Sequence, residues 1–205
     1  MSLTRVAVAG TGAEVRREAR QVGRRLRLIH SSLELFAARG YHETSVDDIV
    51  GRARMSKSAF YEVFDSKEHC FRELLAQEGG ALIHAVVSAA AAGVDHRDRM
   101  RRGIRAFVEA CFEQSALARL MLVESVGLSM SIEEVRHQLQ GRFAHVVSEE
   151  VRLAMAVDPF YKGHEPQVFG RAVVGAVSDA VGYFLTHPGA DSDALAASLC
   201  LIFAP

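Results

Sequence analysis

The sequence predicts an all-α protein in two parts: an N-terminal three-helix, helix-turn-helix domain and a C-terminal helical bundle. Three observations carry this. From Arg24 onward, apolar residues recur at three- and four-residue spacing, the period of a half-buried helix. The interruptions are Ser, Asp, Gly and Pro, and they fall at helix-length intervals. Strand signals are few. The expected division is a flexible basic arm over 1–22, a helix-turn-helix domain over 23–70 with the motif at about 45–64, and a helical body over 71–205.

Residues 1–22 mix small residues with Arg5, Arg16, Arg17 and Arg20 and show no sustained periodicity, hence the arm. The run Val6 to Ala13 has the look of a strand entering a dinucleotide loop. The position that needs a third glycine is Val15, however, and no second strand follows within the ~30 residues of a βαβ unit. Leu26, Ile29, Leu33, Phe36 and Ala37 then share one face and give a first helix over about 24–39, stopped by Gly40. Ser45 caps a second over about 45–52, with Asp47 and Asp48 at its positive end and Val46, Ile49, Val50 and Ala53 facing inward. Arg54-Met55 break the chain, and Ser56 caps a third helix over about 57–63 with Ala59, Phe60, Val63 and Phe64 apolar. Asp65-Ser66 break it again before a fourth helix begins at Lys67. Helices this short must pack across the first one, which is the helix-turn-helix arrangement. Further helices are expected at about 67–92, 98–113, 115–128, 131–157, 165–187 and 191–203.

The net charge of −1 is unevenly spread. Residues 1–67 hold twelve Lys/Arg against eight Asp/Glu, a surplus of four positive charges, and the remainder is acidic by five. A basic front on an acidic body suits a polyanion at one end. Cys70, Cys111 and Cys200 are odd in number and far apart, so the sequence reads as a cytoplasmic protein without a disulfide framework. No uninterrupted apolar run reaches the ~18 residues of a membrane span. The nine histidines form no HxxxH or HxH pair beside a cysteine, and no metal or cofactor is expected. No nucleophile elbow or paired acid–base motif points to an enzyme.

The stretch Ser56 to Phe64 carries the functional signal. Phe60 and Phe64 lie one turn apart and can anchor the helix, leaving Lys57, Ser58, Ala59 and Tyr61 outward. Short side chains at a helix start can approach base edges: Ser donates or accepts, Ala touches a thymine methyl, Lys reaches guanine or phosphate. Tyr61 and Lys67 stand at phosphate reach. Taken alone, these residues fit DNA reading and an ordinary core helix with a solvated face equally well.

From about Arg24 to Leu75 the chain resembles the TetR (tetracycline repressor-like) family of transcriptional regulators. The resemblance runs through Phe36-Ala37-Ala38-Arg39-Gly40-Tyr41, Thr44-Ser45-Val46-Asp47-Asp48-Ile49, Ala53, Ser56-Lys57-Ser58-Ala59-Phe60-Tyr61 and Phe64-Asp65-Ser66-Lys67-Glu68. It implies that Thr44 or Ser45, Tyr61 and Lys67 grip phosphates while Lys57, Ser58 and Ala59 face bases. Glu62 would then accept from cytosine or repel phosphate. The chain departs from the family pattern at Arg54 and Ser58, where many members have glycine.

The resemblance further implies a homodimer on a double-stranded DNA operator and an unidentified small-molecule effector, with ligand-released repression the expected response. Activation by the same fold, or an interaction module with a degenerate reader, are the alternatives. The effector pocket is expected among Phe107, Cys111, Met121, Glu124, Phe143 and Val147. Pairing of subunits is expected through Phe169, Val173, Ala176, Val177, Ala180, Phe184, Leu195 and Leu199. Gly170, Gly175 and Gly182 are expected to allow close helix approach.

Overall fold

The computed structural model describes residues 12–187, 189 and 191–205, and among these every regular element is helical. The order is α1 (Gly12–Arg39), α2 (Val46–Ala53), α3 (Lys57–Tyr61), α4 (Lys67–Ala91), α5 (His96–Glu113) and α6 (Ser115–Arg119). A π-helical turn (Leu120–Glu124) follows, then α7 (Met130–Ala154), α8 (Pro166–Leu185) and α9 (Ser192–Phe203). Each predicted serine cap is in place. Ser45 forms a capping box with Asp48, Ser56 accepts from the Ala59 amide and Ser66 from the His69 amide.

Two predicted boundaries differ. Residues 12–22, expected as part of an arm, belong to α1. They are rich in Glu, Arg, Gln and Ala, which favour helix, but Val15–Arg24 is exposed throughout and so leaves no apolar stripe to read. Residues 1–11, with Arg5 and most of the glycine-loop candidate, lie outside the described residues. The segment expected as one helix over 115–128 is split by the π turn.

The side chains fall into two cores. Leu28, Ile29, Phe36, Ile49, Phe60, Phe64, Phe71 and Leu74 build that of the N-terminal unit, the reader. Phe107, Val108, Val151, Tyr161, Val177 and Val181 belong to that of the body. The long helix α4 serves both. Its Cys70, Phe71, Leu74 and Leu75 are buried in the reader, while Leu82 and Val86 pack on the body, so the division runs through mid-helix rather than at residue 70. Leu120 of the π turn and Ile132 of α7 are sequestered with the reader core, not the body's.

By length and composition α4 and α8 could each cross a membrane. Their apolar residues serve packing instead: Leu74 and Ile83 of α4, and Val173, Val177 and Val181 of α8, face protein, while Arg171 and Asp179 break up the apolar run of α8 and are exposed. Arg97 fastens α5 to the turn after α7 by a two-pronged pair with Asp158 (2.5 and 2.6 Å), which holds that carboxyl down at about 2.

Helices α7 and α8 approach most closely at Gly170. A Cβ there would sit 2.4 Å from the Ser148 hydroxyl and 2.5 Å from the Ala144 carbonyl. Gly182 has only ordinary contacts, and the space beside Gly175 is open. Because backbone must move to admit it, Gly170→Ala is expected to lower stability by about 1–3 kcal/mol in urea unfolding. Gly175→Ala is the control that leaves stability almost unchanged.

Candidate functional site

Helix α3 has only five residues, and Phe60, fully buried, with Phe64 at 1% exposure, fixes it against α1, α2 and α4. The rings of Phe60 and Phe64 are 5.5 Å apart, and the Arg25 guanidinium lies 5.2 Å over Phe64. The chain enters α3 through Arg54, in the left-handed region at φ 52, where its amide and that of Met55 cap α2 by bonding to Gly51 and Val50. An arginine in this conformation costs roughly 1 kcal/mol relative to glycine. The absence of glycine here alters the turn's cost and leaves its form intact.

As a result Lys57, Ser58, Tyr61 and Glu62 share one open, shallow surface at the leading end of α3, with Ala59 half-buried behind them. Among the described residues, nothing from the body of the same subunit covers them. Two acidic groups hold the nearby cations. Lys57 Nζ lies 3.0 Å from Asp47, which raises the lysine's affinity for its proton, and Arg24 Nη1 lies 2.8 Å from Glu62. In the free protein the Glu62 carboxylate is turned toward α1.

Three of the expected phosphate-gripping residues behave differently from one another. Ser45 is exposed at the start of α2 but engaged in its capping box, where its bonds hold the Asp48 carboxyl below the ordinary range. Thr44 is buried and donates to the Gly40 carbonyl (2.9 Å), so it shapes the α1–α2 loop rather than meeting a ligand. Lys67 is also redirected. It donates to the carbonyls of Tyr41 (2.8 Å) and Thr44 (2.9 Å) and sits 4.2 Å over the Tyr41 ring, and burial lowers its pKa. Sequence spacing showed a lysine near a helix start; it could not show that two loop carbonyls lie within reach.

The body contains two cavities in series between α4, α5, α7 and α8. The outer one, about 100 Å³, is walled by Val86, Ile104, Val147 and Val177, with Arg99 and Glu150 (3.5 Å apart) at the end away from the reader. The inner one, about 250 Å³, reaches Met121, Leu122 and Arg136 beside the π turn. Phe107 and Phe143, edge-to-face at 5.6 Å, stand between them and line both. Of the expected pocket residues, Phe107, Phe143 and Val147 line the outer cavity and Met121 the inner. Cys111 does not; it is packed in the body core, where burial pushes its thiol to about 12. Glu124 does not either: it pairs with Arg119 (3.0 Å) and faces Gly40 of the reader. Cys70 is likewise raised, to about 11, so neither thiol is a ready nucleophile. Among the described residues no three His, Cys, Asp or Glu side chains are grouped to hold a metal.

Five residues expected at a subunit interface, Phe169, Val173, Val177, Leu195 and Leu199, are buried in the chain's own core, because α8 and α9 use that face to cover α5 and α7. Ala180 is half-buried beside it, whereas Ala176 and Phe184 are exposed. The outward face of these helices is a different apolar set, Val168, Ala176, Tyr183, Leu201 and Ile202, with the open Gly175 among them.

Residues 28–74 match the model of the bacterial regulatory proteins of the tetR family. That stretch holds α2, α3 and the whole reader core except Leu75, Leu120 and Ile132. Over that stretch the chain is similar to the TetR family. The transcriptional activator FasR of Mycolicibacterium smegmatis is 33% identical over 98 residues. That match covers 48% of this chain and 45% of FasR, so the chain spans less than half the length of this curated relative. Two solved structures share the fold nearly end to end. The fatty acid degradation regulator FadR from Bacillus halodurans matches 88% of this chain and 94% of its own, with TM-score 0.80 and 14% identity. FadR from Bacillus subtilis in complex with stearoyl-CoA matches 87% and 97%, with TM-score 0.79 and 15% identity.

Lys67 fastens the loop between α1 and α2, and its replacement should show as lost stability. Lys67→Ala, which strands the Thr44 carbonyl and removes the shorter of the two bonds to that of Tyr41, is expected to cost about 1–3 kcal/mol in urea unfolding. Unchanged stability with weakened DNA binding would return Lys67 to the phosphate role.

Proposed function

We propose that this chain is a sequence-specific, DNA-binding transcriptional regulator, a cytoplasmic homodimer released from a palindromic operator by an apolar small-molecule effector. Its role is binding rather than catalysis. The observation that carries the reading is the open leading end of α3, where Lys57, Ser58 and Tyr61 project from a helix whose opposite side is locked by Phe60. A helix presented this way can enter the major groove, with Ser58 and Lys57 at base edges and Tyr61 at a phosphate.

Pairing follows from the outward face of α8 and α9. Tyr183 is 55% exposed and Leu201 74%, and with Val168 and Ile202 they are exposed apolar side chains that a second copy would cover. Two readers at fixed separation then demand two half-sites. Selection of bound sites from random duplex DNA should return a shared palindrome. Ser58→Ala is expected to relax preference at one base position by about 1–3 kcal/mol, whereas Tyr61→Phe should weaken all sequences alike. Tyr183→Arg combined with Leu201→Arg should sediment as a monomer. A selection without any common palindrome sinks the reading. FasR is named an activator, so transcription that falls when the protein is removed would assign that sign here.

The effector class is read from the cavities. The outer cavity is almost wholly apolar apart from its Arg99–Glu150 end, and the inner one adds Arg136, Gln140, Ser178 and Asp179 to apolar walls. A slender acyl chain with an anionic head fits this distribution, and the similarly folded Bacillus subtilis FadR is in complex with stearoyl-CoA. Stearoyl-CoA is expected to release the protein from its selected operator. Phe143→Ala, which opens one cavity into the other, should shift the preference toward longer chains. If acyl-CoAs of several lengths neither raise the melting temperature nor change DNA occupancy, the acyl class is wrong.

A further inference from the structure

We propose that the leading half of α1 is a track for the DNA backbone, laid beside the site that α3 reads; this rests on the DNA-binding reading above. Arg16, Arg17, Arg20, Arg24 and Arg27 are all exposed. At 3.6 residues per turn they fall within an arc of about 100° and extend along about 16 Å of helix. Glu18 lies on another side, and Arg25 is turned inward to pair with Glu73.

The stripe is continuous with the reading surface. Arg24 reaches across to Glu62, and Arg17, Arg20 and Arg24 form one wall of a groove whose other wall is Glu62 and Val63. Glu62 is thus shared between the open end of α3 and the arginine groove. A duplex placed against Lys57, Ser58 and Tyr61 would bring its flanking phosphates to the α1 side.

Electrostatics gives the stripe a reason to have a polyanionic partner. Arg16 with Arg20 and Arg20 with Arg24 are like charges one turn apart, an arrangement that weakens an isolated helix. This part of α1 also buries no apolar stripe that would compensate. Phosphates along the groove turn that repulsion into attraction, and duplex DNA offers one negative charge per ~1.7 Å of axis.

The test is the salt dependence of binding to a long mixed-sequence duplex and to the selected operator. Each phosphate contact contributes about 0.9 to the slope of log K against log salt. A triple variant Arg16→Gln, Arg17→Gln, Arg20→Gln is expected to lose about 2–3 units of that slope with its base preference unchanged. Glutamine keeps the helix-forming character of arginine, so circular dichroism should be preserved. The matching triple lysine variant should retain the parent slope. An unchanged slope in the glutamine variant overturns the assignment, as does an equal loss in the lysine variant. So does a loss confined to vesicles of phosphatidylserine, which would make the stripe a membrane contact. A parent protein that binds no duplex overturns the DNA-binding reading itself, and this assignment with it.

Discussion

A helix of five residues has no stability of its own, since nucleation alone outweighs the bonds it can form. The pose of α3 is therefore decided by where Phe60 and Phe64 come to rest. They rest in a core shared by Phe36 of α1, Ile49 of α2 and Phe71 and Leu74 of α4, with Phe36 and Phe71 edge-on at 5.2 Å. Leu120 and Ile132 complete this core from the body, both at 1% exposure or less. A close-packed core does not yield gradually. Moving the π turn by a fraction of a side chain must therefore either open a void beside Phe71 and Leu74 or carry the reader with it.

The electrostatics of the reader surface follows a second logic. Its cations are matched in the free protein by neighbouring acids: Lys57 by Asp47, Arg24 by Glu62, Arg39 by Asp48 and Arg52 by Glu34. Such exposed pairs are worth little each, about 0–1 kcal/mol, so a phosphate or a base can displace the acid at small cost. The acids then act as a filter. They lower the pull on any passing polyanion, and they demand that a true site repay the exchange with well-placed contacts. Lys67 stands outside this exchange because its charge is committed to two backbone carbonyls. Electrostatic attraction and loop architecture thus come from different lysines ten residues apart.

Much of this was legible in the sequence because local chemistry dictates it. Ser45, Ser56 and Ser66 cap the helices they precede, Phe60 and Phe64 point inward, and Gly40 closes α1 in the left-handed region. The left-handed turn at Arg54 was legible only through family resemblance. The errors share a cause. Residues 12–22 form helix without an inward face, so periodicity had nothing to report. Thr44, Lys67 and Glu124 were assigned by position in a motif or a run, but each is claimed by a partner distant in sequence or by the local fold. Five of the residues expected to pair subunits are buried for a geometric reason. On α8 the stripe Phe169, Val173 and Val177 is what the chain buries for itself, while Val168, Tyr183 and Phe184 are left outside. A sequence shows how apolar a face is, but not which of two apolar faces its own neighbours will occupy.

On the proposed reading, the two cavities are not equivalent as sites of control. A ligand shifts an equilibrium only by binding its two states differently, so it must touch something that moves between them. The outer cavity meets α4, α5, α7 and α8 well away from the reader core. The inner one meets Met121, which also packs against that core, and Arg136, which holds the Met121 carbonyl at 2.6 Å and the Ser125 hydroxyl at 2.7 Å. A π turn is a local departure from ideal helix and a natural place for a hinge. An occupant confined beyond Phe107 and Phe143 would add stability to the body while leaving Met121 untouched, and so would bind without signalling. One long enough to pass the two rings would press on a segment that reaches both cores.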